Sequence, residues 1–416
     1  MRFSAGILLC ALLALLAGCG GGGGGDGSAS AGDTIAAPAN PVPNVMVVTV
    51  ELGPSRNVNL PFTSVTVCAP GSDTNCRTID HVLVDTGSNG LRLFASALAG
   101  LDLPQQRSGG AALAECLPFA DGTSVWGPVR LADARLAGHR VSSLPVHVVG
   151  DAGFAAIPDG CSSSLSPTAT PQEFGANGIL GVGDRAQDCG ELCSANTQNG
   201  YYYVCSSACS PSAAALGLQV PNPVSRFASD NNGVVLKMPA VPTNGAATVS
   251  GSLIFGIGTQ ANNALGAAQI FQPDPATGYF TTVYRNRQYT KSFIDSGSNA
   301  IYFDDAAINV CDGYDHGFYC PPSTLNLSAT MVGDDGVRNA VAFSVANADA
   351  LFAPPNSSYV AFGNLAGPAS GIDNNTSDGW WSPYFDWGLP FFYGRSVFTA
   401  IRDRYTPGGK GPYYAY

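Results

Sequence analysis

The chain reads as an all-β protein folded into two lobes. Three observations carry this reading. Gly (51) and Pro (29) are abundant and charged residues make up only 12% of 416, a composition of turns and short strands rather than of helices. Apolar runs are short, β-branched and cut by turn residues, below the length a helix needs. A motif, Asp85-Thr86-Gly87-Ser88, returns in the second half as Asp295-Ser296-Gly297-Ser298, each copy set between apolar runs.

From the N-terminus, Arg2 precedes an apolar run at 7–16 that is too short to span a bilayer. Leu16-Ala17-Gly18-Cys19 follows, small residues before a cleavage point. Residues 1–18 are therefore expected to be a lipoprotein signal peptide, with Cys19 resembling the lipid-bearing cysteine of a bacterial lipobox. An ordinary cleaved signal with a chance Cys is the alternative. Gly20 after it resembles outer-membrane sorting, facing periplasm or cell surface. Residues 19–44 read as a flexible Gly/Pro-rich tether. The net charge of −11 argues against nucleic acid as a partner.

Strands are expected at 45–50, 62–67, 82–84, 91–94, 146–149 and 179–180. A second set follows at 234–237, 252–255, 279–284, 293–294 and 300–303. Helix candidates are few: 96–101, 212–216, 304–310 and 394–398. Turn residues at 239–245 divide an N-terminal β lobe, 45–235, from a C-terminal one, 236–416.

Twelve cysteines suit an exported chain. Cys10 lies in the signal and Cys19 at its end. The rest are Cys68, Cys76, Cys116, Cys161, Cys189, Cys193, Cys205, Cys209, Cys311 and Cys320, enough for up to five disulfides. Cys68–Cys76 and Cys311–Cys320 are each expected to close a loop. The cluster Cys189, Cys193, Cys205 and Cys209 has zinc-like numbers, but export and loose spacing favour nested disulfides. The four histidines (81, 139, 147, 316) show no ligand spacing, so no metal and no cofactor are expected.

The duplicated motif has the parts for chemistry. Peptide hydrolysis needs an activated water and a proton for the carbonyl oxygen, and two carboxyls sharing one proton supply both. Asp85 and Asp295 are the candidate pair. Gly87 and Gly297 let the backbone come close to the carboxyls. Thr86 and Ser296 can cross-link the two loops, and Ser88 and Ser298 can bond an Asp oxygen. One copy alone would be an Asx-type turn. Two strand-flanked copies argue for a dyad.

These residues resemble pepsin-like aspartic proteases (the retropepsin and pepsin superfamily), in a bacterial lipoprotein version. Asn177-Gly178-Ile179-Leu180-Gly181 looks like the segment crossing behind the first active-site loop. Phe119-Ala120-Asp121-Gly122-Thr123, running to Trp126-Gly127, looks like the flap. Gly251–Gly256 and the stretch from Trp387 to Phe398 look like the first and closing strands of the second lobe. The resemblance implies a bilobal acid-protease fold, two β-barrel-like lobes with a cleft between them. It makes Asp85 and Asp295 catalytic and places Phe119, Asp121, Gly122 and Thr123 over the cleft. Three positions depart from the family: Phe119 replaces the flap Tyr, Arg92 replaces a Trp that bonds it, and Leu389-Pro390 replaces Leu-Gly. Arg92 has three readings: it binds a substrate carboxylate, lowers the pKa of the dyad, or sits on the surface.

Two functions compete at this point. The first is a monomeric, membrane-tethered aspartic endopeptidase acting on a peptide or protein. The alternative is a catalytically inactive protease-fold lipoprotein that holds a ligand in the cleft. Tyr201-Tyr202-Tyr203 is expected in a disulfide-held, partly buried loop, and the aromatic run at 380–387 in the core of the second lobe.

Overall fold

The structure is a computed structural model, and it describes residues 42–162, 166–312, 317–369 and 383–416. Cys19, the signal, most of the tether, His316, Trp380 and Trp381 lie outside the described residues.

The first lobe is built on a closed barrel of six strands. Pro61–Cys68 pairs with Cys76–Asp85, which pairs with Gly178–Val182, then Asn89–Phe94, His139–Val149 and Thr123–Leu136, which returns to Pro61–Cys68. Its interior is aliphatic: Val65, Val67, Val84, Leu91, Leu93, Val146 and Leu180 are buried. The second lobe is a sheet of seven strands running Arg338–Val345, Leu325–Val332, Phe280–Tyr284, Arg287–Ile294, Tyr384–Trp387, Ile301–Phe303 and Ala366–Gly367. Its core is aromatic, with Phe303 stacked on Phe385 and Phe385 on Trp387. Tyr384 to Trp387 thus packs as expected for that part of the aromatic run.

Both lobes solve one problem the same way. In the first, Gly178–Val182 lies between the two strands that flank the Asp85 loop, parallel to one and antiparallel to the other. In the second, Tyr384–Trp387 lies between the strands flanking the Asp295 loop, again parallel to one and antiparallel to the other. Close approach requires a glycine in each inserted segment. A Cβ on Gly181 would fall 2.8 Å from the Asn89 backbone, and one on Gly388 only 2.1 Å from the Ala300 carbonyl. The lobes share a sheet in which Val45–Val50 pairs with Val249–Phe255, followed by Gly233–Met238, Arg395–Ala400 and Tyr413–Ala415.

The all-β, two-lobed expectation holds, and the helix candidates need correction. Residues 96–101 contain only a 3-10 turn, Ala95–Leu98. Neither 212–216 nor 304–310 forms a helix. Residues 394–398 are largely strand: Arg395–Ala400 hydrogen-bonds neighbours on both sides, and tertiary pairing overrides the local pattern. Pro390 sits in the first turn of the short helix Leu389–Phe392, where its missing N–H costs no hydrogen bond.

Five disulfides form: Cys68–Cys76, Cys116–Cys161, Cys189–Cys193, Cys205–Cys209 and Cys311–Cys320. The expected nesting of the middle cluster is wrong. Cys205 and Cys209 face each other across a tight hairpin, and Cys189 and Cys193 close one turn around Glu191–Ala195, so each pair finds its partner locally. Five disulfides accord with an extracellular or periplasmic compartment. Among the described residues no helix is long and apolar enough to cross a membrane.

Candidate active site

The two motif loops meet between the lobes and are held by reciprocal hydrogen bonds. The Thr86 amide donates to Ser296 Oγ at 3.1 Å, and the Ser296 amide donates to Thr86 Oγ1 at 3.0 Å. Each hydroxyl then donates onward across the interface, Ser296 to the Val84 carbonyl at 2.7 Å and Thr86 to the Ile294 carbonyl at 3.3 Å. The set is buried, so every bond replaces one that water can no longer supply.

The carboxyls stand in matching cradles. Asp85 Oδ1 accepts the Gly87 amide at 2.8 Å, and its Oδ2 accepts the Ser88 hydroxyl. Asp295 Oδ1 accepts the Gly297 amide at 2.7 Å, and its Oδ2 accepts the Ser298 hydroxyl at 2.8 Å. Each glycine backs onto the opposite carboxyl. An added Cβ would lie 2.5 Å from Asp295 Cγ at Gly87 and 2.8 Å from Asp85 Oδ1 at Gly297. The carboxyls therefore face each other at close range, and neither pairs with a cation among the described residues. Loss of water on the cleft floor, then the charge of Asp85, then that of Asp386 push the Asp295 carboxyl well above the usual range. Asp295 keeps some surface open to the cleft, which moderates the dehydration. One proton shared by the pair, held on Asp295, is the arrangement that two neighbouring carboxyls favour.

The flap is a hairpin of Ala111–Pro118 and Thr123–Leu136. At its turn Asp121 Oδ1 accepts the Thr123 amide and hydroxyl, and Gly122 takes φ +82°. Phe119 at the tip packs on Phe174, with ring centroids 5.7 Å apart. Phe119 and Ala120 line cavities on both sides of the dyad, about 540 and 580 Å³, so the hairpin tip borders the space around the two carboxyls.

Arg92 departs from two of its expected readings. It is 0% exposed, with Nη2 2.8 Å from Glu115 Oε1 and 3.2 Å from Asp188 Oδ2, and Nη1 2.7 Å from the Asn89 carbonyl. It is neither on the surface nor free for a substrate carboxylate. It ties the flap strand, through Glu115, to the barrel strand behind the Asp85 loop. Burial would raise Glu115, but Arg92 and then His147 overcome this and hold it at about 2. Burial and then Glu115 push Asp188 well above the usual range, and the Tyr202 hydroxyl lies 2.9 Å from both its oxygens. Tyr202 and Tyr203 are buried as expected, while Tyr201 lines the cleft.

With this geometry in view, comparison with known proteins adds a family. Residues 40–416 match the family described as protein of unknown function (DUF3443). The chain belongs to that family. No curated protein matches it. Among solved structures it is similar to the crystal structure of aspartic proteinase from Irpex lacteus, at 15% identity and a TM-score of 0.49, with 89% of this chain and 96% of that one covered.

Sequence reasoning missed one residue of the site. Asp386 is 1% exposed and lines the same cavity as Asp85 and Asp295. It was read only as part of an aromatic run. The signal was available in register: Leu180 pairs with Val84 and Trp387 with Ile294, so Asp386 occupies the place that Ile179 takes in the first lobe. As for metals, one group among the described residues brings ligand types together, Cys311, Cys320 and Asp349. Its cysteines are joined to each other, which leaves no thiolate to bind.

Proposed function

We propose that this protein is an aspartic endopeptidase, exported and tethered to the outer membrane through lipid on Cys19, facing periplasm or cell surface. The observation that carries the activity is the interlocked pair of Asp loops, with both carboxyls cradled and neither neutralised by a cation. Asp85 takes a proton from a water as its oxygen attacks the peptide carbonyl carbon. Asp295 gives its proton to the carbonyl oxygen. The resulting diol collapses as Asp85 returns its proton to the amide nitrogen, the C–N bond breaks, and Asp295 recovers a proton from the diol. The lobes supply alignment, and the flap covers the site. Separated or salt-bridged carboxyls would favour a ligand-holding protein without chemistry; facing carboxyls in matching cradles support the endopeptidase reading instead.

The test is cleavage of a peptide library by purified protein between pH 3 and 8, with Asp85→Asn and Asp295→Asn as controls. Both substitutions should remove activity by a thousandfold or more, on the order seen when one member of a catalytic unit is lost. A wild type that cleaves nothing, or variants that cleave as well, overturns the proposal. Labelling with a radioactive fatty acid, compared with Cys19→Ala, tests the tether.

A further inference from the structure

The cavity of about 580 Å³ on one side of the dyad has an uneven charge. Four carboxyls line it, Asp85, Asp295, Asp121 and Asp386, and no Lys or Arg among the described residues does. On the other side of the dyad Arg185 lines the cleft, so the imbalance is local.

Asp386 is the unusual member. Asp85 and Asp295 each have two hydrogen-bond donors, and Asp121 is occupied by its own turn. Asp386 Oδ1 is buried with no hydrogen-bond partner. Its strand position is apolar in the other lobe, where Ile179 faces the same cavity. Packing therefore does not call for a carboxyl here. A buried carboxyl oxygen without a partner is costly, and an arriving donor would recover that cost. Burial pushes the Asp386 carboxyl up, as does the neighbouring Asp85, while the Ser298 hydroxyl holds it down. A bound cation would reverse that shift.

We propose that Asp386 is a specificity-determining residue, its carboxylate receiving the cationic end of a substrate Lys or Arg side chain laid in this cavity beside the scissile bond. Leu83, Phe174, Ile179 and Phe318 line the same cavity and suit the methylene stem of such a chain. Asp386 is 1% exposed, so only a side chain that enters the cavity meets its carboxylate. This rests on the endopeptidase reading, but the cavity can be tested apart from it.

The experiment uses the full chain and paired peptides that differ only by Lys, Arg, Gln or Leu at the residues flanking the scissile bond. Wild type should cleave the Lys and Arg peptides at least tenfold better in kcat/KM than the Leu peptides at one of those residues. Asp386→Asn, which keeps the shape, and Asp386→Ile, which copies the other lobe, should each lower the Lys-to-Leu ratio at least tenfold. Circular dichroism confirms that each variant folds. A wild type without cationic preference, a preference for Gln over Lys, or a ratio unchanged in Asp386→Asn overturns the inference while leaving the endopeptidase standing. If no peptide is cleaved, the endopeptidase reading fails. Calorimetric binding of the same Lys and Leu peptides, with Asp386→Asn beside wild type, then decides the cavity: tighter Lys binding that the variant loses supports it, and equal affinities overturn it.

Discussion

Arg92 reaches Glu115 at 2.8 Å, and this buried pair joins the floor of the first active-site loop to the base of the flap. Asp188 adds a third group at 3.2 Å from the same guanidinium. Burial and Glu115 both disfavour a charge on Asp188, which limits the negative charge that Arg92 has to balance. A flap anchored this way needs no aromatic latch at its tip, consistent with Phe119 where the resemblance to pepsin-like proteases predicts a hydroxyl-bearing Tyr.

Arg92→Met should therefore destabilise the protein strongly. It keeps the length of the stem but leaves the Glu115 charge buried and alone, a change worth about 3–5 kcal/mol. Urea unfolding measures the loss, and Arg92→Met combined with Glu115→Gln should recover much of it. A single variant as stable as wild type would mean the pair does not form.

His147 gives stability a pH dependence of known sign. It is fully buried, with Nδ1 3.3 Å from Glu115 Oε2, and neither ring nitrogen makes a hydrogen bond. Burial pushes the imidazole down to about 4, Arg92 helping and Glu115 opposing. The unfolded chain takes up its proton near the ordinary value of 6.5, the folded one only near 4. The stability is fully present above pH 6.5 and is lost as pH falls toward 4, a change on the order of 3 kcal/mol. Glu115 is also depressed, to about 2, so its share is lost only below its ordinary value of 4.5. Asp188 is raised and has the opposite sign. The difference between wild type and His147→Leu isolates the histidine: thermal unfolding of the variant should be flatter between pH 6.5 and 4. Parallel curves would show that His147 does not titrate as placed.

Much of this site was legible because a few contiguous residues carry it. Asp-hydroxyl-Gly-Ser combines the carboxyl, its cradle and one half of the cross-link in one turn, and the second copy shows what the first is for. The strand positions followed from short β-branched runs for the same local reason. The disulfide pairing around residues 189–209 depends on where a helical turn and a hairpin fall between the cysteines, and Arg92 depends on Glu115 and Asp188, which lie 23 and 96 residues away. Asp386 was hidden differently. Its neighbours Phe385 and Trp387 explain the segment as core, and only its register beside Phe293 turns it toward the cleft.

Thr86 and Ser296 should behave as a coupled pair. Thr86→Val removes the acceptor for the Ser296 amide and the donor to Ile294, and Ser296→Ala does the same to Thr86 and Val84. Each leaves buried backbone groups unpaired, at about 1–3 kcal/mol per group. Thr86→Ser keeps the hydroxyl and should keep most of the stability. A double-mutant cycle between Thr86→Val and Ser296→Ala measures the coupling, and strict additivity would mean that the loops do not lock each other.

Gly87 separates geometry from folding. Its backbone is not in the left-handed region, so alanine introduces no backbone strain there. The added methyl meets Asp295 first, whose carboxyl carbon would be 2.5 Å away. Gly87→Ala should push the two carboxyls apart while leaving both lobes folded. Displacements of about 1 Å at reacting groups cost on the order of a hundredfold in rate. Peptide cleavage should drop by at least that factor with the melting temperature little changed. Asp295 must move for the methyl to fit, so a Gly87→Ala enzyme that cleaves at the wild-type rate would show that the facing carboxyls are not the reacting pair.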